Sequence, residues 1–329
     1  MCHFREQCSV DQTGSSTERS GMAEQVTVLS GGLSTELEAA GLLTQGDPLW
    51  SARLLHTNPQ AIKAVHTNFL KSGADVLSTA SYQASIEGFI QHLGLDFDEA
   101  ANLFTVAVRQ AEEAAEDFTV QSSKKRQILI AGSIGPYGAF LHDGSEYTGR
   151  YAQDMSIGEL KDWHRVQMQC LAAAGIELFA FETIPSQKEA EALVQLLREF
   201  PNNKAWLSYS CQSPATTSFG DRFDEAVNVA AESNQMVAVG VNCCSPAFVS
   251  PLLTSANKKQ GRKINWIVYP NSGEKWDHNM GWQGSHTDKA LSAYASEWVQ
   301  LGARWIGGCC RTTPTDIASI RAILLANNL

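Results

Sequence analysis

Short apolar runs punctuate the chain at residues 26–29, 75–79, 127–132, 177–181, 205–209, 236–241, 264–269 and 303–306. Their length suits buried strands better than helices, and each gives way to a polar or glycine-bearing segment. Between them the spacing becomes helical. Residues 59–72 place Ile62, Val65, His66, Phe69 and Leu70 on one face and stop at Gly73. His66 reads there as a packed or surface histidine rather than a ligand. Further helices are predicted over 97–118, 156–174, 187–199 and 290–301, and a last one starts at Thr313-Pro314. After the first run, Ser34 or Thr35 is the expected N-cap, with Glu38 in the first turn. Strand and helix alternate eight times and no segment stands apart. The pattern predicts an α/β fold, a single-domain (β/α)8 TIM barrel over residues 25–329. An open doubly wound sheet has the same periodicity, which does not report closure.

Polar chemistry collects where the predicted strands end. Ser30, Thr79, Tyr82, Glu182, Asn242, Cys243, Asn271, Cys309 and Cys310 all follow carboxyl ends of strands, the face on which such barrels carry their active sites. Cys309 and Cys310 sit where the last strand turns into the last helix. Adjacent residues of a strand point to opposite faces, so two neighbouring thiols serve one metal only by leaving strand geometry. The preceding Gly307-Gly308 permits that. Cys243 closes the sixth run, and in a barrel one strand separates it from the pair. Three thiolates would leave the fourth position of a tetrahedral zinc open, as in catalytic sites. A redox-active vicinal dithiol and cysteines that merely pack are the alternatives. Cys309-Cys310 lacks the C-x-x-C spacing of thioredoxin-like motifs. Cys170, on a helix, reads as a core residue.

Composition narrows the class. The chain has 329 residues, 43% of them hydrophobic, enough for a large core. A net charge of −10 and a pI near 5.3 argue against nucleic acid or anionic membrane as partner. No apolar run approaches the roughly 18 residues of a membrane span. Eight cysteines in a chain with no secretory signal point to metal or catalysis rather than a disulfide framework, and to a cytoplasmic setting. Residues 1–24 read as a disordered polar tail with mixed charges. Cys2 and Cys8 carry no assigned role, and Met22 is a second candidate start. Lys124-Lys125-Arg126 reads as a solvated loop. The double glycine at 31–32 is no dinucleotide fingerprint, whereas the loop through His142, Asp143, Gly144, Ser145, Glu146 and Tyr147 is long enough to suggest function.

These motifs resemble the homocysteine S-methyltransferase family over about residues 26–325. Gly-Val-Asn-Cys at 240–243 and Gly-Gly-Cys-Cys-Arg-Thr-Thr-Pro at 307–314 look like its zinc-binding signatures. Similarity continues in Gly-Gly-Leu-Ser-Thr-Glu-Leu-Glu at 31–38, Ala-Ser-Tyr-Gln-Ala at 80–84, Gly-Pro-Tyr-Gly-Ala at 135–139 and Tyr-Pro-Asn-Ser-Gly-Glu at 269–274. The resemblance implies a zinc-dependent barrel that methylates homocysteine to methionine. Zn2+ would be held by Cys243, Cys309 and Cys310, and Glu182 would bind the homocysteine ammonium. Ser30, Gly31, Thr79, Tyr82, Asn242 and Asn271 are the further substrate-binding candidates. Cys244 matches no ligand position. Gly-Ser-Glu-Tyr-Thr-Gly at 144–149 is more similar to S-methylmethionine-using members than to betaine-using ones, so the expected partners are homocysteine and a sulfonium donor, S-adenosylmethionine included. Tyr82, Tyr137 and Trp282 are candidates for a cation–π contact with it. A betaine-using or selenocysteine-methylating relative, and a zinc-binding barrel acting as a regulatory protein, are the alternatives. One departure stands out: the family usually has aspartate where this chain has Ser30.

Overall fold

A computed structural model describes residues 26–42, 46–122, 126–231, 233–259, 265–277, 281–283 and 289–329. The expected tail, with Cys2, Cys8 and Met22, lies outside these residues, as do Lys124, Lys125 and Ile264. Eight strands form one parallel sheet: β1 (Thr27–Val28), β2 (Val76–Ser78), β3 (Leu129–Ile134), β4 (Leu178–Ile184), β5 (Lys204–Tyr209), β6 (Met236–Asn242), β7 (Trp266–Tyr269) and, after a small antiparallel hairpin of β8 (Lys275–Asp277) and β9 (Gly281–Gln283), β10 (Ala303–Ile306). The order β1-β10-β7-β6-β5-β4-β3-β2 is that of a barrel unrolled between its first two strands. A parallel bridge Leu29↔Val76, with the Ser30 N–H donating to the Val76 carbonyl at 3.0 Å, joins those edges. The fold is therefore the expected TIM barrel.

Strand alternation sorts the side chains into two cores. Leu29, Val76, Ala131, Ala180, Trp206, Ala238, Ile267 and Tyr269 form one cluster, which fills the barrel. Their neighbours Leu77, Phe179, Phe181, Leu207, Val239, Val268 and Ile306 belong to the second cluster, under the helices. On β4 the inward row reads Leu178, Ala180, Glu182. Because β4 runs on to Ile184, three residues beyond the expected end at Phe181, Glu182 is a strand residue that continues the interior row upward.

The helices that hold the barrel match the periodic segments closely, with corrections at the ends. Leu33–Ala39 is capped by Gly32, not by Ser34 or Thr35, and Glu36 is the acid in its first turn. Thr35 Oγ1 instead donates back to the Gly32 carbonyl at 3.0 Å and accepts the Arg311 N–H at 3.0 Å. Pro59–Lys71 buries Ile62, Val65, His66, Phe69 and Leu70 as expected. The last helix, Pro314–Ala326, has Thr313 and Asp316 in a capping box. Arg126, expected in a solvated loop, bonds the Leu70 carbonyl at 2.6 Å and pairs with Asp75, because it closes over the amino end of β2.

Candidate active site

The carboxyl ends of the strands enclose a cavity of about 810 Å3, counting its open mouth. Ser30, Gly31, Thr79, Tyr82, Glu182, Asn242, Cys243, Cys309 and Cys310 line it, so nine of the sequence-derived candidates converge there. Asn271 does not. It is buried beside the cysteine turns, where its N–H donates to the Cys244 carbonyl at 3.0 Å.

The three sulfurs come from two turns. β6 ends at Asn242, and Cys243 takes a left-handed φ of 46°, which swings its side chain out of the strand alternation. Non-glycine residues adopt this region only when their surroundings impose it. β10 ends at Ile306, so Cys309 and Cys310 have indeed left strand geometry. The Gly307-Gly308 lead-in is needed for close packing: a Cβ at Gly307 would meet Leu29 Cβ at 2.7 Å, and one at Gly308 would collide with Thr312. Cys310 Sγ lies 3.9 Å from Cys243 Sγ and 4.0 Å from Cys309 Sγ. Cys243 and Cys309 are in disulfide contact. All three sulfurs fall within 4.8 Å of one another. Ligands of a tetrahedral ion with bonds of about 2.3 Å stand roughly 3.8 Å apart, so the set fits a metal once Cys243 and Cys309 are reduced dithiols. Burial, then the nearby Glu182 and Glu146, pushes the Cys310 thiol up to about 12. Cys244, which matched no ligand position, is packed in the outer core, outside the sulfur cluster.

Glu182 stands beside this cluster, fully wrapped. Ser133 Oγ donates to one carboxylate oxygen and Tyr269 OH donates to the other at 3.1 Å. The Trp206 indole donates to the Tyr269 oxygen at 3.0 Å and Ser208 Oγ lies 2.5 Å from it, which leaves the phenol's proton for Glu182. Burial raises the Glu182 pKa, against the lowering effect of the Ser133 and Tyr269 hydrogen bonds. A cation beside it would offset that burial cost. Ser133 and Tyr269 were not identified from the sequence. Both lie on the inward row of their strands, two residues above Ala131 and Ile267, which is the signal that was available.

Two expected substrate-binding residues are turned toward the protein. Asn242 Oδ1 accepts the Thr183 N–H at 2.7 Å, its Nδ2 donates to Thr183 Oγ1 at 2.8 Å, and the same nitrogen lies 3.8 Å from Cys309 Sγ. It thereby pins Thr183, whose φ is 61°. Thr79 Oγ1 accepts the Ser133 N–H at 3.0 Å and lies 2.7 Å from Ser81 Oγ, which donates to the Ser133 carbonyl. These bonds fix β2 against β3 below Glu182's partner.

The loop after β3 supplies what the sequence placed only in outline. Glu146 and Tyr147 both line the cavity. Burial, with the Cys310 sulfur nearby, raises the Tyr147 pKa well above the usual phenol value. Burial pushes Glu146 up to about 7, and its Oε2 is buried with no partner among the described residues. Behind the loop, buried Glu189 accepts the Tyr137 N–H at 2.8 Å, Tyr151 OH at 2.5 Å and His164 Nε2 at 2.9 Å. It clamps both ends of the segment that carries Glu146. Tyr137, expected near a sulfonium, instead packs its ring against Tyr151 and Trp163, with centroids 5.3 and 5.0 Å away. Trp282 lies outside the residues whose side chains are described. Among the described residues, Trp50, Tyr82, Tyr147 and Tyr269 are the aromatic side chains that face the cavity.

Comparison with known proteins agrees with this geometry. Residues 27–324 match the profile of the family described as homocysteine S-methyltransferase. The chain is 41% identical to the betaine-homocysteine S-methyltransferase of Drosophila melanogaster, over 90% of this chain and 93% of that protein. It is 42% identical to homocysteine S-methyltransferase 1 of Arabidopsis thaliana, over 89% and 91% respectively. The metallated form of the homocysteine methyltransferase MmuM from Escherichia coli superposes with a TM-score of 0.80 at 36% identity, covering 91% of this chain and 96% of that one. An oxidized form of the same enzyme also superposes at 0.80.

Proposed function

Since this chain belongs to the homocysteine S-methyltransferase family, we propose that it transfers a methyl group from S-methylmethionine to homocysteine, with zinc held by Cys243, Cys309 and Cys310. The methyltransferase activity and its homocysteine substrate come with the family; the donor and the metal are the proposal. One observation carries the metal: three sulfurs from two distant turns meet beside a buried carboxylate inside one cavity. Bound there, zinc would lower the pKa of a coordinated thiol and so favour the thiolate, the nucleophilic form.

The chain's own residues do the rest. Glu182, with both oxygens already oriented, receives the ammonium of homocysteine and fixes the acceptor's backbone relative to the sulfur cluster. Tyr82 and Tyr147 present aromatic surface in the cavity that Cys310 lines, where a sulfonium is held by cation–π attraction. Transfer is a displacement at carbon. The homocysteine sulfur, its proton already lost, forms a bond to the methyl carbon. The carbon–sulfur bond of the sulfonium breaks, and its electron pair returns to the donor sulfur. With S-methylmethionine both products are methionine. Correct alignment of the two sulfurs about the carbon supplies much of the rate.

The test combines metal and donor. The reduced protein should carry about one zinc per chain and form methionine from homocysteine and S-methylmethionine, with betaine inactive. Cys310→Ser should lose both zinc and activity, whereas Cys244→Ser should keep both. Zinc retained in full by Cys310→Ser would refute the ligand set, and comparable turnover with betaine would refute the donor.

A further inference from the structure

Among the described residues, two carboxylates face the cavity, Glu182 and Glu146, and no lysine, arginine or histidine lines it. Their situations differ. Glu182 already accepts two hydroxyl protons. Glu146 has one oxygen, Oε2, shut away from solvent with no donor among the described residues. A buried carboxylate oxygen left unpaired is costly, so a position that keeps one is a position awaiting a ligand.

The loop holds this group in place. The Glu146 carbonyl accepts Ser210 Oγ at 3.1 Å. A Cβ at Gly138 would stand 2.5 Å from the Glu146 nitrogen, so only glycine there lets the loop lie flat. Glu189 fixes the chain on either side through Tyr137 and Tyr151. The two carboxylates also occupy different parts of the cavity. Glu182 stands on β4, between Ser133 and Tyr269, whereas Glu146 stands on the loop after β3.

We propose that Glu146 binds the α-ammonium of the methyl donor and so selects an amino-acid sulfonium over a donor without N–H groups. The inference rests on the methyl transfer proposed above. Homocysteine, tethered near the cysteines, brings its ammonium to Glu182; the donor brings a second ammonium to Glu146 on the loop after β3. An ammonium supplies both the charge and the N–H that Oε2 lacks. The quaternary nitrogen of betaine has no N–H, and its carboxylate would be repelled by Glu146. Glu146 is then a specificity-determining residue that touches the donor and takes no part in the bond exchange.

The experiment compares zinc-loaded wild type with Glu146→Gln, using S-methylmethionine and dimethylsulfoniopropionate, a sulfonium without an ammonium. KM for S-methylmethionine should rise about tenfold or more, the equivalent of roughly 1.4 kcal/mol. KM for homocysteine and the zinc content should stay within about twofold, the scatter of a neutral change. Activity with dimethylsulfoniopropionate, whose carboxylate Glu146 repels as it would that of betaine, should be equal or higher in Glu146→Gln. Calorimetric titration of S-methylmethionine into each protein should show the same weakening at equilibrium. A rise in the homocysteine KM instead would assign Glu146 to the acceptor and overturn the proposal, as would equal losses with both sulfonium donors. A wild type that uses betaine but not S-methylmethionine would sink the donor assignment itself. An unchanged S-methylmethionine KM in an active Glu146→Gln would sink this inference alone.

Discussion

At the scale of single residues, the departure at Ser30 has a definite consequence. Its backbone is committed to the barrel seam, with the N–H on Val76 and the carbonyl receiving the Gly308 N–H at 3.3 Å. Its side chain lines the cavity, and its hydroxyl has no recorded partner among the described residues. A neutral hydroxyl contributes about 1 kcal/mol to a hydrogen bond, against roughly 1.5–3 for a charged partner. Ser30→Asp is expected to lower the homocysteine KM by up to about tenfold, leaving zinc content unchanged. Glu182→Gln should be far more damaging, since it removes the carboxylate proposed to hold the homocysteine ammonium. Steady-state kinetics with varied homocysteine decides this. A flat or raised KM in Ser30→Asp would mean that the ammonium is held elsewhere.

At the scale of elements, a helix and a loop show how burial tunes behaviour away from the chemistry. Helix Pro59–Lys71 buries His66 completely, with neither ring nitrogen bonded among the described residues. Burial alone pushes its pKa down to about 4. The folded value lies below the unfolded one of about 6.5, so the unfolded chain binds the proton first and stability falls as pH drops below about 6.5 toward 4. Between pH 7 and pH 5 the loss from this residue is about 2 kcal/mol. His66→Leu should flatten that part of the stability curve at little cost near pH 7. Urea unfolding at the two pH values measures it, and an unchanged slope would show that His66 does not carry the effect. The loop after β3 follows the opposite logic: Glu189 is buried but fully bonded, and its role is to hold Glu146 and Tyr147 over the cavity.

At the scale of the whole molecule, the barrel divides its work between two ends. The amino end is closed by Asp75, which accepts the Val28 N–H at 3.0 Å and pairs with Arg126 and Arg321. These partners come from β1, the approach to β3 and the last helix, so one carboxylate ties together parts far apart in the chain. Asp75→Ala leaves two partly buried guanidinium groups unpaired and should cost about 3 kcal/mol. It should lower the melting temperature by several degrees while the KM values hold. A large change in KM with stability unaltered would contradict this division.

Closure of the sheet into a barrel was decided by tertiary structure; by itself the sequence determined the alternation of strand and helix and the strand ends at which chemistry collects. Those follow from hydrophobic periodicity and from local signals such as Thr313-Pro314 and the glycine stops, which act over a few residues and are written in order along the chain. It also placed Cys243, Cys309, Cys310 and Glu182, since each follows or continues a recognisable strand. Which side chains actually face the cavity was decided only by tertiary structure. Asn242 and Thr79 sit at the expected height, yet their polar atoms are consumed by Thr183, Ser81 and Ser133, partners distant in sequence. Tyr137 was drawn into an aromatic cluster, and Asn271 was left beside the cavity rather than in it. Ser133, Tyr269, Trp50 and Tyr147 entered because strand register and loop closure aimed them there. The unpaired oxygen of Glu146 is the clearest case. An orphaned hydrogen bond is a property of everything around an atom, and no local pattern in a chain can record it.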